Sequence, residues 1–263
     1  MLILKIGGGD QINLAAIAKD LSELKEPCII VHGANSLRDR LAQDLGFEKQ
    51  VVTSLSGYSS VLSDDGMIDL MMMSYAGLKN KQLVELLQQN NVNGIGLTGI
   101  DGGLIKGKRN SGIKTRQNGK NMLLRDRSGK PKEINTGLLE LLLKNNYLPV
   151  LTVPIIDENG VAINSENDDI VCCIQESLGI STVIQLIEAP GLLDNVEDPE
   201  SMIPHLTRAE LSAKEQQVSG RIKRKLLSLT KLFKNGVEKV VIADGRGEHP
   251  VRDALAGKGT VIQ

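Results

Sequence analysis

The chain alternates short β-branched runs with stretches of helical periodicity, and that alternation restricts it to α/β folds whose mainly parallel sheet is covered by helices. "LILKI" (2–6) reads as a first strand, "NLAAIAKDLSELK" (13–25) as an amphipathic helix and "CIIVH" (28–32) as a second strand, with a helix starting near Ser36. The run from Asp65 to Asn90 is helical, and its Met71, Met72 and Met73 are expected in the core rather than in a cofactor site. "VNGIGLTG" (92–99), "YLPVLTVP" (147–154), "GVAIN" (160–164), "TVIQLI" (182–187) and "VEKVVIAD" (237–244) supply further strands, with helices near 136–145, from Asn167, and over 220–234. "GTVIQ" closes the chain, and the segment carrying Pro190, Pro199 and Pro204 reads as an irregular loop. With 263 residues, 41% of them hydrophobic, one large or two modest domains can bury a sizeable core. No repeat, linker or low-complexity tract interrupts it.

Charge is segregated. Residues 106–132, "KGKRNSGIKTRQNGKNMLLRDRSGKPK", hold ten Lys or Arg against one Asp, so this stretch carries +9 and the remainder −10 within a net charge of −1. Such separation steers an oppositely charged partner to one face, although a solvated Gly-rich hairpin would show the same pattern. The partner is not expected to be nucleic acid. Five aromatics (Phe47, Phe233, Tyr58, Tyr75, Tyr147) and no Trp leave little for bases to stack on.

Cys28, Cys172 and Cys173 form no paired framework and are expected to be buried thiols in a reducing compartment. "MLILKIGGGD" shows neither a charged leader region nor a cleavage site, and no apolar run approaches a membrane span. The expectation is a cytoplasmic protein.

Several segments offer chemistry. "KIGGG" (5–9) places three glycines directly after the first strand, where they turn tightly or present N–H groups to an anion. The spacing matches neither a P-loop nor a dinucleotide fingerprint. "VHGANS" (31–36) is a second strand, small-residue turn and helix start, which sets helix N-terminal N–H groups beside the first loop. His32 is expected to pack at the strand end. Lys5 lies inside an apolar strand, where an unpaired ammonium is costly, so it should emerge at the glycine loop and meet an anion. Lys225 in "SGRIKRKLL" (219–227) stands among other cations, a pattern that a solvated helix face also produces. "NSENDDI" (164–170) offers Asp168 and Asp169 beside Asn164 and Glu166, either as helix caps or as carboxylates that hold lysines or magnesium.

In their order, "KIGGG", "VHGANS", "AGLKNKQLVELL" (76–87), "GIGLTGIDGGL" (94–104), "YLPVLTVP", "AINSENDDI", "APGLLD" (189–194) and "GRIKRK" (220–225) resemble the amino-acid kinase family over the whole length. The resemblance is to acetylglutamate kinase-like members, nearest the branch that phosphorylates glutamate or α-aminoadipate held on a carrier protein in lysine and arginine biosynthesis. It implies an open αβα sandwich with residues 1–175 as the amino-acid part, its basic hairpin at 103–134, and residues 176–263 as the ATP part. The implied reaction moves the γ-phosphoryl group of ATP, with Mg²⁺, onto a side-chain carboxylate and leaves an acyl phosphate. By motif match Lys5 and Lys225 stabilise the transferring group and Asp168 orients both. Gly33, Ala34, Asn35, Val61 and Asn164 fall at the substrate, and Gly8, Glu188 and Gly191 at the nucleotide. The carriers of this branch are small and strongly acidic, so Lys106, Lys108, Arg109, Lys114 and Arg116 are expected to dock one. A homodimer through the long helix is implied by analogy.

The sequence departs from the family pattern at four places. Ala34 replaces a glycine, and Val61 in "SVLS" stands where a substrate-binding arginine is expected, so either another cation such as Arg38 or a hairpin residue replaces it or the bound group differs from the family's. Glu166 takes the place of Asn or Asp, and "LIEA" (186–189) replaces a Ser-Asp pair. Two rival readings follow. A kinase of free acetylglutamate is disfavoured by the basic stretch and Val61, and a non-catalytic regulatory relative by retention of Lys5, Asp168 and Lys225.

Overall fold

The computed structural model describes residues 1–55, 59–117, 120–195, 197–218 and 220–263. Ser219 of the lysine-rich motif, and Asn118 and Gly119 of the basic stretch, lie outside the described residues. The first half runs β1 (Leu2–Ile6), α1 (Leu14–Ser22), β2 (Cys28–His32), α2 (Asn35–Asp44), β3 (Val51–Thr53), β4 (Ser59–Val61) and α3 (Asp65–Met71). A π-helical stretch, Met72–Lys79, leads into α4 (Asn80–Gln89) and β5 (Gly94–Thr98). The basic stretch folds as β6 (Ile105–Arg109), β7 (Ile113–Gln117), β8 (Lys120–Leu124) and β9 (Gly129–Ile134). Then come α5 (Thr136–Lys144), β10 (Leu148–Thr152), β11 (Ile155–Ile156), β12 (Ala162–Ile163), α6 (Asn167–Leu178) and β13 (Thr182–Ile187). The chain ends with β14 (His205–Leu206), α7 (Arg208–Gln217), α8 (Gly220–Lys234), β15 (Lys239–Asp244), α9 (Pro250–Leu255) and β16 (Thr260–Ile262).

Among the described residues the main sheet has eight strands in the order β14-β16-β15-β13-β1-β2-β10-β5. All are parallel except the edge pair β14 and β16, where β16 runs antiparallel to β15. Strand alternation splits each central strand between two cores. Leu2, Leu4, Ile6, Ile30 and Ile184 face α1, α4 and α9, whereas Ile3, Ile29, Val31, Val183 and Ile242 face the layer that includes α2, α3, α6 and α8. Each such fully buried aliphatic side chain contributes about 1.5–3 kcal/mol by leaving water. The result is the expected open αβα sandwich.

β1 is followed by β2 on one side of it, while β13 lies on the other. The carboxyl end of β1 is therefore the switch point at which loops diverge and a crevice opens. The proposed division at 175/176 falls within α6.

The long helix corrects one expectation. Met71 is buried, but Met72 and Met73 are 37% and 48% exposed. The buried positions run Met67, Met71, Tyr75 and then Asn80, Leu83 and Leu87, so the step from 75 to 80 spans five residues instead of three or four. The π-helical stretch makes that step and turns the two methionines outward. It also carries Asn80 inward, where its Nδ2 meets His32 Nε2 and the Val150 carbonyl, both at 3.0 Å.

Helices α7 and α9 were hidden behind prolines in the sequence. α7 opens with a capping box in which Thr207 and Glu210 satisfy each other's backbone N–H groups.

Candidate active site

Because Ile3 and Lys5 share the face of β1 that looks onto α6, Lys5 must carry its ammonium through apolar surroundings. It does so to Asp168 Oδ1, at 2.5 Å, with side-chain exposures of 14% and 27%. Asp168 is the second residue of α6, where the helix N-terminus favours a carboxylate. Lys225, half-buried on α8, joins them. Burial first, then the Lys5 charge, pushes its ammonium down to about 8, and Asp168 opposes the shift. Three groups 57 to 220 residues apart in sequence thus form one cluster of two lysines and one carboxylate at the switch point.

Beside it the two turns meet backbone to backbone. The Gly33 N–H donates to the Ile6 carbonyl at 2.9 Å and the Ser36 N–H to the Gly8 carbonyl at 3.0 Å. A Cβ on Gly8 would lie 2.6 Å from Asn35 N and 2.8 Å from Ala34 N, so only glycine lets the peptides approach. Ala34 is tolerated because its φ is −151°, on the side open to an L-residue, and its side chain is buried. Asn35 is fixed from behind by the Tyr75 hydroxyl, which donates to its Oδ1. Tyr75, buried and pushed up to about 12, drew no attention in the sequence, though a lone aromatic in a long helix was a signal. His32 is buried and pushed down to about 4, a neutral packing residue as expected.

The residues expected at the nucleotide occupy two settings. Glu188 lies against the glycine loop, its Oε1 accepting the Gln11 N–H at 2.5 Å, and Gly9 leaves it room. Gly191 is packed, since a Cβ there would be 2.6 Å from Thr260 Oγ1.

A cleft of about 890 Å³ opens from Asp168 between the basic strands and α8. Val61 and Asn164 line it together, and Asn164 Nδ2 donates to Ser63 Oγ at 3.0 Å. Arg38 does not line it: its guanidinium is held by Asp39 at 2.8 Å. Lys114 and Lys130 do. Ser165, also in the wall and 8% exposed, has no partner for its hydroxyl among the described residues.

Alternation in β6 and β7 exposes Lys106, Lys108, Lys114 and Arg116 and buries Gly107 and Thr115. Arg109 differs, because its Nε donates to the Asp126 carbonyl at 2.8 Å and braces the hairpin. Asp126, the one acid of the stretch, is 4% exposed and accepts from Ser63 N at 3.3 Å and Ser128 Oγ at 2.7 Å. The Leu55 N–H donates to the Lys114 carbonyl at 2.8 Å, so β7 is stitched to the ribbon that carries Val61.

A pair of glycine turns and two lysines clustered with one carboxylate at a parallel-sheet switch point suit the binding of phosphate groups, and the Amino acid kinase family pattern matches residues 1–244. The chain belongs to the amino acid kinase family. It is similar to a LysW-aminoadipate kinase of Thermus thermophilus, 38% identical over 269 residues and covering 100% of both chains. A LysW-aminoadipate kinase of Deinococcus radiodurans is also 38% identical, over 266 residues that cover 100% of this chain and 91% of that one. Among solved structures, N-acetylglutamate synthase from Neisseria gonorrhoeae complexed with coenzyme A and N-acetyl-glutamate matches with a TM-score of 0.78. That match covers 99% of this chain and 58% of the other at 19% identity, a likeness of fold. Like its named kinase relatives, the chain is a phosphotransferase.

Proposed function

We propose that this kinase transfers the γ-phosphoryl group of ATP to the side-chain carboxylate of α-aminoadipate or glutamate carried on an acidic amino-group carrier protein of the LysW type. The observation that carries this reading is the Lys5–Asp168 pair at the floor of a cleft whose outer wall is the basic hairpin. A carboxylate oxygen attacks the γ-phosphorus as the bond to the β–γ bridging oxygen breaks and ADP leaves, so no proton need move. Lys5 and Lys225 offset the charge on the transferring oxygens, and Asp168 keeps both ammoniums aimed. Gly8 and the Gly33–Asn35 turn supply backbone donors, and Asn164 with Ser63 holds the acceptor. A hairpin lysine, Lys114 or Lys130, takes the place of the family arginine that Val61 displaces. Free acetylglutamate would need no such outer wall.

The nucleotide is assigned to residues 176–263 beside Glu188 and the acceptor to 1–175. Among the described residues no group of three His, Cys, Asp or Glu side chains is placed to hold a metal, so Mg²⁺ is assigned to the nucleotide phosphates. The exposed Met72, Met73 and Leu78 give a homodimer an apolar contact face. No described helix is long and apolar enough to cross a membrane, and Cys28, Cys172 and Cys173 are free and buried, which supports assignment to the cytoplasm. Mass spectrometry of the loaded carrier tests the reading: incubation with ATP and Mg²⁺ should add one phosphoryl group, and no addition to either loaded form would overturn it.

Two expected results arise from the site. The first concerns pH. Lys225 has a folded pKa near 8 against an ordinary 10.5, so the unfolded chain binds more protons between these values, and stability of the ligand-free protein should rise with pH across that window. kcat/KM for ATP should instead fall as pH rises through about 8, and Lys225→Arg should shift that limb upward in a pH profile. The second concerns Glu188, whose carboxylate occupies an N–H of the glycine loop and repels phosphate. Glu188→Gln should lower KM for ATP about threefold at low salt in a coupled ADP assay; an increase would show that Glu188 helps hold the nucleotide.

A further inference from the structure

Burying an amide whose oxygen meets no donor is costly, so such a group in a sheet interior calls for a reason. Gln185, in the middle of β13, is 1% exposed, and its Oε1 has no partner among the described residues. It stands in register with Lys5 of the parallel strand β1 on one side and with Ile242 of β15 on the other. Alternation puts Gln185 on the face of Val183 and Lys5 on the face of Ile3, and Ile3, Val183 and Ile242 share one core, the one that α6 and α8 cover. Neighbouring strands lie about 5 Å apart, so the amide is beside the stem of the lysine whose ammonium Asp168 holds.

A second buried amide shows the difference. Gln175 on α6 is also 1% exposed with an unpartnered Oε1, but its Nε2 donates to the Ile180 and Asn235 carbonyls, both at 3.2 Å, and ties the turn after α6 to the end of α8. That brace accounts for its burial. The setting of Gln185 is chemical instead. An ammonium has three N–H donors, and Lys5 directs one of them to Asp168 Oδ1. A transferring phosphoryl group takes a second. The third needs an acceptor that brings no further negative charge up to the phosphate, which an amide oxygen is and a carboxylate is not.

We infer that Gln185 is a positioning residue for phosphoryl transfer, its Oε1 accepting an Nζ–H of Lys5 as the ammonium closes on the transferring group. The inference rests on the assignment of Lys5 and Asp168 to that step. In the ligand-free chain Lys5 stays on Asp168 and the amide oxygen has no donor. Phosphate bound on the nucleotide half, to which β13 belongs, draws the ammonium towards Gln185, and the three donors then divide among Asp168, the phosphoryl oxygen and the amide. Because this bond forms with the group in transfer, its loss is felt in kcat rather than in KM.

Gln185→Met keeps the side-chain length and removes the oxygen. In a coupled ADP assay with ATP and whichever acceptor the parent enzyme turns over, loaded carrier or free acetylglutamate, it should lower kcat about tenfold with KM for ATP within about twofold. Tm should hold or rise, since the unpaired acceptor is gone. Gln185→Glu keeps an oxygen there at the cost of a charge facing phosphate, so kcat should lie within about threefold of the parent. Gln175→Met is the matched control: it should lower Tm, by leaving two carbonyls without their donor, and leave kcat unchanged. Unchanged kcat in Gln185→Met, an equal loss in Gln185→Glu, or a fall in Tm as large as that of Gln175→Met would make Gln185 a packing residue and overturn this inference alone. A parent enzyme that phosphorylates no acceptor, or an Asp168→Ala variant as active as the parent, would overturn the reading of the site and the inference with it.

Discussion

Lys225→Ala should lower kcat by about a thousandfold while leaving Tm unchanged or slightly higher, because removing one donor to a transition-state oxyanion costs that much and the ammonium is held at an energetic cost. The cost is visible in its position: burial and the neighbouring Lys5 push its pKa down to about 8, so below that pH the folded protein holds a charge it would shed more easily than a solvated lysine. Asp168→Ala should show the opposite stability result. It removes the partner that Lys5 meets at 2.5 Å and leaves two lysines repelling each other. Since the pair is partly exposed, the loss is about 1–2 kcal/mol rather than the larger cost of breaking a fully buried one. Both variants should retain the far-UV spectrum of the parent. Near-normal turnover in either would remove the cluster from the chemistry, and parallel losses of Tm in both would make it a structural brace.

Neutralising Lys108, Lys114 and Arg116 together should raise KM for the loaded carrier by about ten- to a hundredfold at low salt and by far less at high salt, with KM for ATP unchanged. All three are exposed on strands whose alternate residues are buried. Arg109 is left intact in this test because its guanidinium holds the Asp126 carbonyl, and replacing it would loosen the hairpin rather than read its charge. An unchanged KM at low salt would return the stretch to a solvated hairpin.

How far the sequence reaches differs from residue to residue. Lys5 was legible because an ammonium within "LILKI" has to find an anion, and alternation already placed it on one face. Its partner was not, since local pattern makes Asp168 a helix-start carboxylate and Lys225 one cation among several. Contacts 163 residues apart are set by topology, and the ordered motifs of a family were what tied them together. The absence of an arginine at Val61 could be read directly, but the lysines across the cleft could not, because strand pairing rather than sequence distance brings Lys130 there. The methionines misled for a different reason: a helical pattern assumes one period, and the π-helical step between Tyr75 and Asn80 slips the buried face by a residue. Arg109 shows the same limit on a smaller scale. Composition counts it with the docking cations, and only the fold shows its charge spent on a backbone carbonyl.

The most direct measurement is trapping of the acyl phosphate with hydroxylamine, offering the enzyme ATP and Mg²⁺ with free acetylglutamate, or with α-aminoadipate or glutamate on the carrier protein, at low and high salt. A carrier kinase gives hydroxamate from the carrier-borne substrate alone, in amounts that fall as salt rises. Hydroxamate from free acetylglutamate at a comparable rate, or from none of the three, would contradict it.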